Sequence, residues 1–357
     1  MLLTLRLRNF RCYPTLNWDI PTEGALLYGS NAQGKTSVLE AICFALTLHS
    51  PRTSRMDRLA THNSAEFGIS LDTDEGTRRL LWQHKKLNMQ VNGATRRDYT
   101  DYLYDARPVV WLGNTDMALV TGSADARRDY LDFLGSQWHP AYRPALLEYR
   151  KALKSRNLLL RNPRHTQDTL RSYAAILARN GEILCTLRAR LIELLRPHIC
   201  RLHSDISGGE EDISISYRPS TTLPMAEALE QATEADTRAG FTTVGPHRDD
   251  FELCIRGRNA AEFASEGQQR TLATALVLAQ AGLLQVQTGH APTLLIDDIF
   301  GELDPTRRRA LLAHLPADSQ IFITTTHTDW LQDTPAPLPL LKIHAAHISA
   351  EEYPPLG

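Results

Sequence analysis

No two of the chain's five cysteines, Cys12, Cys43, Cys185, Cys200 and Cys254, form a Cys-x-x-Cys pair. That excludes a zinc hook, and scattered unpaired thiols fit a reducing cytoplasm. Long apolar runs are also lacking: no stretch reads as long enough to span a membrane, and Met1–Cys12 is too charged for a signal peptide. The expectation is a cytoplasmic protein with no membrane partner. Nor is there an excess of positive charge, since 39 Lys and Arg stand against 41 Asp and Glu, a formal net charge of −2. Bulk electrostatics therefore gives no pull on nucleic acid, and any DNA site must be a local patch. Low-complexity tracts and repeats are absent. What remains, 42% hydrophobic and 22% charged residues over 357 positions, is the composition of a soluble globular protein of one large domain or two.

The most informative segment present is Gly29-Ser30-Asn31-Ala32-Gln33-Gly34-Lys35-Thr36-Ser37, preceded by the apolar run Ala25–Tyr28. Its spacing, G-x-x-x-x-G-K-T between a strand pattern and a helix pattern, is that of a phosphate-binding loop. The two glycines let the backbone curl with its N–H groups inward. The helix from Thr36 to about Leu46 aims its positive end at the phosphates of ATP. Lys35 adds a point charge between the outer phosphates, and the Thr36 hydroxyl can ligate Mg²⁺. A chance glycine turn would not need these flanking patterns.

The second half of the chain supplies partners. Thr293-Leu294-Leu295-Ile296-Asp297-Asp298 is an apolar run ending in two carboxylates, as in a buried parallel strand. Asp297 is placed to hold Mg²⁺, and Asp298, one position on, to polarise the attacking water. Two adjacent aspartates alone would also suit a strand-end turn. Upstream, Ser265-Glu266-Gly267-Gln268 precedes a helix pattern running from Thr271 to about Gln285. It resembles the signature motif of the ATP-binding cassette superfamily, in which Ser265, Gly267 and Gln268 would approach a γ-phosphate. The same residues make a fair capping box, and the two readings are compatible. Gln320–His327 reads as a strand ending in histidine. In cassette ATPases a histidine there contacts the γ-phosphate, so His327 is a candidate, although a plain surface histidine fits as well.

Lys35 and Ser265 are separated by more than half the chain, much further than in transporter ATPases, and the intervening residues are strongly helical. In detail the chain resembles the bacterial RecF family of recombination mediators. The matching segments are Leu5–Arg11, Ser37–Ile42, Val91-Asn92-Gly93, Gly122–Asp132 with Arg127-Arg128, Gly245-Pro246-His247-Arg248-Asp249-Asp250, and Ser265–Thr271. There are departures. Asn114-Thr115-Asp116 stands where the family has Pro-Glu-Asp, and Thr115 lacks the carboxylate charge expected of a metal contact. Gly301 replaces a serine before Glu302. The tail beyond Asp333, with Pro335, Pro337 and Pro339, carries no recognised pattern.

The expected architecture is α/β: an ATP-binding-cassette, SMC-like P-loop head with an inserted helical lobe. Residues 1–120 form the first part of the head and 121–235 the lobe. Residues 236–357 form the second part, with signature, Walker B and switch strand. Strands are expected at Leu2–Leu7, Phe67–Leu71, Arg79–Trp82, Leu87–Val91 and Ile213–Tyr217. Lobe helices are expected from about Ala124 to Leu134, stopping near Gly135 and Pro140, from Ala141 to before Pro163, and from about Gln167 to His203. Pro197 should kink or end the last of these. Its stripe Leu184, Leu187, Leu191 and Leu194 suits local helix packing better than a partner site. Basic residues gather at Arg150, Lys151, Lys154, Arg156, Arg161 and Arg164, and again at Arg52, Arg55 and Arg58. Either group can be a solvated face or a salt-dependent phosphate contact.

The resemblance implies a weak DNA-dependent ATPase of DNA repair that uses ATP and Mg²⁺. ATP would close a homodimer on double-stranded or gapped DNA, with Lys35, Thr36, Asp297 and Asp298 serving in cis and Ser265 in trans. RecR and RecO would be partners and RecA loading at gaps the outcome. His247 and Arg248 would lie near the dimer or nucleotide surface. The alternatives are a cassette head coupled to another effector such as a nuclease, or, more weakly, a transporter head.

Overall fold

Two kinds of sheet follow from two kinds of strand. The computed structural model describes residues 1–162, 167–209, 211–332 and 338–351. In chain order it contains β1 (Leu2–Phe10), β2 (Tyr13–Asp19), β3 (Gly24–Tyr28), α1 (Lys35–Thr47), β4 (Glu66–Thr73), β5 (Gly76–Gln83), β6 (Lys86–Val91) and β7 (Ala94–Arg96). Then come α2 (Tyr99–Leu103), β8 (Val109–Gly113), α3 (Met117–Thr121), α4 (Ala124–Trp138), α5 (Tyr142–Leu160) and α6 (Gln167–Ser207). They are followed by β9 (Ile213–Arg218), α7 (Met225–Gln231), α8 (Thr233–Ala239), β10 (Asp250–Ile255), β11 (Arg258–Asn259), α9 (Ala260–Phe263) and α10 (Glu266–Thr288). The chain closes with β12 (Thr293–Asp297), α11 (Pro305–Ala313), β13 (Ile321–Thr325), β14 (Leu340–His344) and β15 (His347–Ala350).

These elements form two compact units, Met1–Asn114 with Gln280–Gly357, and Thr115–Ala279. In the first, β3, β12 and β13 are apolar runs buried on both faces, as strands of a covered parallel sheet must be. They lie in a sheet of order β15-β14-β3-β13-β12-β8, parallel except for the β14–β15 hairpin. The second sheet, β2-β1-β4-β5-β6-β7, is antiparallel, and β1 alternates buried and exposed positions as a one-sided sheet does. Helix α1 packs on β1, β4 and β5 of one sheet and on β8, β12 and β13 of the other. That is why it is buried almost all round rather than along one stripe.

In the second unit α5 and α6 pack together, α4 rests on both and on β10, and β9, β10 and β11 form a small antiparallel sheet. The units divide at 114/115 and 279/280, not at 120/121 and 235/236. The physical cause is β9, which pairs with β10 from Ile213↔Ile255 to Arg218↔Asp250 and so ties the segment after 236 to the helices. The signature segment Ser265–Gln268 therefore lies in the unit that holds the long helices.

Several local expectations change. Gly135 does not stop its helix: α4 continues to Trp138, and the glycine is needed because a Cβ there would lie 2.4 Å from the Tyr142 ring. Pro197 sits inside α6, which runs ten residues further because Ile199, His203 and Ile206 are buried along it. Leu184, Leu187 and Leu191 are buried, but Leu194 is exposed and Leu195 takes the inward position. Leu340–His344, beyond Pro339, is a strand that pairs with β3. Arg164, Asp333, Pro335 and Pro337 lie outside the described residues. Helix α10 is long and apolar enough to cross a membrane by length and composition, contrary to the expectation from sequence, but 72% of its apolar window is buried inside the protein.

Candidate functional site

The turn between β3 and α1 is a backbone cradle. Gly29 and Gly34 have φ of 155° and 112°. A Cβ on Gly34 would come within 2.6 Å of the Tyr13 hydroxyl, and one on Gly29 within 2.3 Å of the Ile343 carbonyl. A side chain at Gly29 would have to move main chain and one at Gly34 the Tyr13 side chain, and both φ values favour glycine. Among the described residues, the backbone N–H groups of Ala32 to Thr36 have no protein acceptor, since the helix ladder begins with Ser37 and Val38 donating to the Gly34 carbonyl. Five inward donors at the positive end of a helix form an anion site. The cleft above them has a volume of about 590 Å³ and is lined by Asn31 to Ser37, Asp298 and three arginines, Arg11, Arg52 and Arg58.

Lys35 is buried, and its Nζ donates to the carbonyls of Gly29 at 2.6 Å and Ser30 at 3.0 Å. Burial pulls its pKa down, with Asp298 and Asp297 acting the other way. Thr36 Oγ1 donates to Asp297 Oδ1 at 2.8 Å, and Thr324 Oγ1 donates to the same oxygen at 2.8 Å. Two hydroxyls and a carboxylate are hard oxygen donors, the chemistry Mg²⁺ selects, and Thr36 with Asp297 could hold the ion. Asp298 has φ 55°, and its N–H is held by Thr324. Burial raises its pKa, Lys35 opposes this and Asp297 adds to it. A carboxyl so placed suits a proton acceptor.

Sequence reasoning missed the supports. Glu40, fully buried on α1, receives both arms of Arg11 at 2.7 and 2.5 Å and the Ser50 hydroxyl at 2.5 Å. Arg52 reaches the same carboxylate at 3.4 Å. Arg52 and Arg58 thus face the same cleft, while Arg55 pairs with Asp57. Asn114, in the segment that departs from the family, donates from Nδ2 to Glu302 at 2.8 Å and to the Asp298 carbonyl at 3.4 Å. It ties the end of β8 to the turn that carries the carboxylates. At Gly301 a Cβ would meet nothing within 4 Å, so the loss of the family's serine has no steric cause.

His327 is exposed past the end of β13 and does not line the cleft. In the other unit, Ser265 is exposed at the start of α10. Its N–H donates to Gln268 Oε1 at 2.7 Å, and Gln268 N–H to Ser265 Oγ at 3.3 Å, so the capping box forms. His247 is half-buried. Its Nε2–H must donate to the Thr242 carbonyl at 3.0 Å, so Nδ1 accepts from the Tyr149 hydroxyl at 2.7 Å. Arg248 stands exposed over the Phe241 ring. Of the helical basic residues, Arg156 is buried against Asp236 at 2.6 Å and cannot face phosphate. Arg150, Lys151, Lys154 and Arg161 are exposed, with Arg150 paired to Asp132.

Comparison with known proteins agrees with this geometry. The sequence profile described as the RecF/RecN/SMC N-terminal domain matches residues 1–345. The chain is 35% identical over 381 residues to the DNA replication and repair protein RecF of Rippkaea orientalis, covering 97% of this chain and 99% of that one. It is similar to a solved structure of the recombination mediator protein RecF with ATP, from the RecFOR pathway, at TM-score 0.89 and 27% identity, over 98% of this chain and 97% of the other. An Smc head bound to the C-terminal winged-helix domain of ScpA shares the fold at TM-score 0.55 and 14% identity, over 98% and 97% of the two chains.

Proposed function

The chain belongs to the RecF family of DNA replication and repair proteins, and from that premise we propose that it is an ATP-operated clamp of recombinational repair. ATP binding closes two copies on double-stranded or gapped DNA, and slow hydrolysis releases them. The observation that carries this reading is the pairing of a complete phosphate cradle with an exposed capping serine on a separate compact unit.

Mg²⁺ supplies positive charge at the outer phosphates when bound. The protein's own groups do the rest. Lys35 exchanges the Gly29 and Ser30 carbonyls for phosphate oxygens, which relieves its burial by giving it anionic partners. Thr36 and Asp297 would hold the metal ion, Thr324 orients Asp297, and the Asp298 carboxylate accepts the proton of the water that attacks the γ-phosphorus as its bond to the bridging oxygen of ADP breaks. Ser265 of one copy donates its hydroxyl proton to the phosphate held by the other, so nucleotide becomes part of the dimer interface. Exposed Lys151, Lys154 and Arg161 offer sequence-independent phosphate contacts. RecO and RecR are the partners expected from the family, loading of RecA at gaps the outcome, and the cytoplasm the compartment.

The test is anisotropy of a labelled gapped duplex with ATP and with ADP. Binding that requires ATP and weakens with salt supports the clamp. Ser265→Arg should bind ATP normally and fail to dimerise; a variant that closes like the parent overturns the trans role of Ser265.

A further inference from the structure

Gln268 has both ends of its side chain occupied. Oε1 accepts the Ser265 N–H at 2.7 Å, and Nε2 donates to Oε1 of Glu211, just before β9. Among the described residues the other Glu211 oxygen has no hydrogen-bond partner, and it lies 3.4 Å from Nε2 of His203. His203, near the end of α6, is fully buried, and neither of its ring nitrogens has a hydrogen-bond partner among the described residues. Glu211 is itself mostly buried, with a side chain 12% exposed. A carboxylate so enclosed cannot trade the Gln268 amide for water at no cost.

We infer that Glu211 is a positioning residue for the signature segment: it anchors Gln268 as a strut that holds Ser265 in place. The inference rests on the proposed role of Ser265 and deepens it. With one amide hydrogen given to Glu211 and the oxygen given to Ser265, the Gln268 side chain is tied at both ends, and one Nε2 N–H remains. By contrast the Ser265 hydroxyl is only a weak acceptor within the capping box, at 3.3 Å, and its proton is free to point outward. The strut also joins the end of α6, the longest helix, to the start of α10 through His203, Glu211 and Gln268.

The experiment exchanges the two ends of the strut. Glu211→Leu removes the acceptor. Gln268→Glu keeps the capping oxygen for Ser265 but sets two carboxylates against each other. The double variant Glu211→Gln with Gln268→Glu restores one donor facing one acceptor. Two readouts are taken on the full chain: amide hydrogen exchange at residues 265–268 without nucleotide, and the dissociation constant of the ATP-dependent dimer, with ATP affinity as control. Both single variants should speed exchange and weaken closure by about tenfold at unchanged ATP affinity, and the double variant should recover to within about threefold. Exchange unchanged in the single variants, or a double variant no better than Gln268→Glu, overturns the strut. Closure intact in Glu211→Leu while Ser265→Arg blocks it overturns the positioning role. Exchange altered and rescued while every variant, Ser265→Arg included, closes normally keeps the strut and discards the trans role of Ser265.

Discussion

Both units bury charge, and they do so to opposite effect. In the cleft above the Gly29–Ser37 turn two charged groups are held against their preference. Lys35 is pushed down and Asp298 pushed up, each chiefly by burial, and Lys35 makes do with two carbonyls. In the helical unit Arg188 is as deeply buried, yet each of its three nitrogens is hydrogen-bonded. It donates to Asp132 at 2.7 Å, the Tyr142 hydroxyl at 2.8 Å and the Pro246 carbonyl at 2.5 Å. Burial alone would lower its pKa, but Asp132, Tyr142 and Tyr217 carry it well above the ordinary arginine value. A site built for a ligand leaves its charges short of partners, and a structural knot does not.

Four changes would break or sharpen that contrast. Lys35→Ala should abolish ATP-dependent dimerisation, by about a hundredfold or more in light scattering, because it removes the charge that answers the outer phosphates. The same variant should leave the urea midpoint of the nucleotide-free protein almost unmoved. Arg188→Leu should do the reverse. It leaves Asp132 buried without its cation, and unfolding in urea should show a loss of about 3–5 kcal/mol. If Arg188→Leu is neutral, the knot is not structural in the sense described.

Acid should separate the units next. His203 and His247 both have their pKa lowered by burial from the ordinary value of 6.5. The unfolded chain then binds protons that the folded helical unit does not. The stability these groups contribute is present above pH 6.5 and is lost as pH falls through their folded values. A urea midpoint for this unit that stays level from pH 7.5 to 5.5 would contradict the assignment. The smallest effect is Asp298→Asn. A carboxyl whose folded pKa is raised contributes stability at low pH and loses it as pH rises, so at neutral pH the ionised form is a burden. Since solvent screens a partly exposed group, the gain on thermal melting without nucleotide should be no more than about 1 kcal/mol. Hydrolysis should be lost in the same variant.

The nucleotide site was readable from sequence wherever its parts are contiguous. The Gly29–Ser37 turn, the strand ending at Asp297 and the capping box at Ser265 and Gln268 each need a fixed local order of residue types, and local order is what a sequence displays. The interior stop expected at Gly135 failed because a glycine can be required by a neighbour, here Tyr142, as well as by a turn. Arg156 looked like one more surface cation beside Lys151 and Lys154, but Asp236, eighty positions away, takes it inside. Nothing in the run Leu340–His344 says that it will pair with β3, since a short apolar strand is specified only by the edge it meets.

Residue order by itself therefore determined the phosphate loop, the carboxylate-tipped strand, the alternation of strand and helix and the family. Only the tertiary structure decided that Glu40 gathers Arg11 and Arg52 beneath the cleft, that Asn114 ties β8 to the carboxylate turn, and that Glu211 holds Gln268. The reason is that a buried charge is defined by its partners. Those partners come from strands and helices far apart in the chain, at distances set by packing and not by spacing in the sequence.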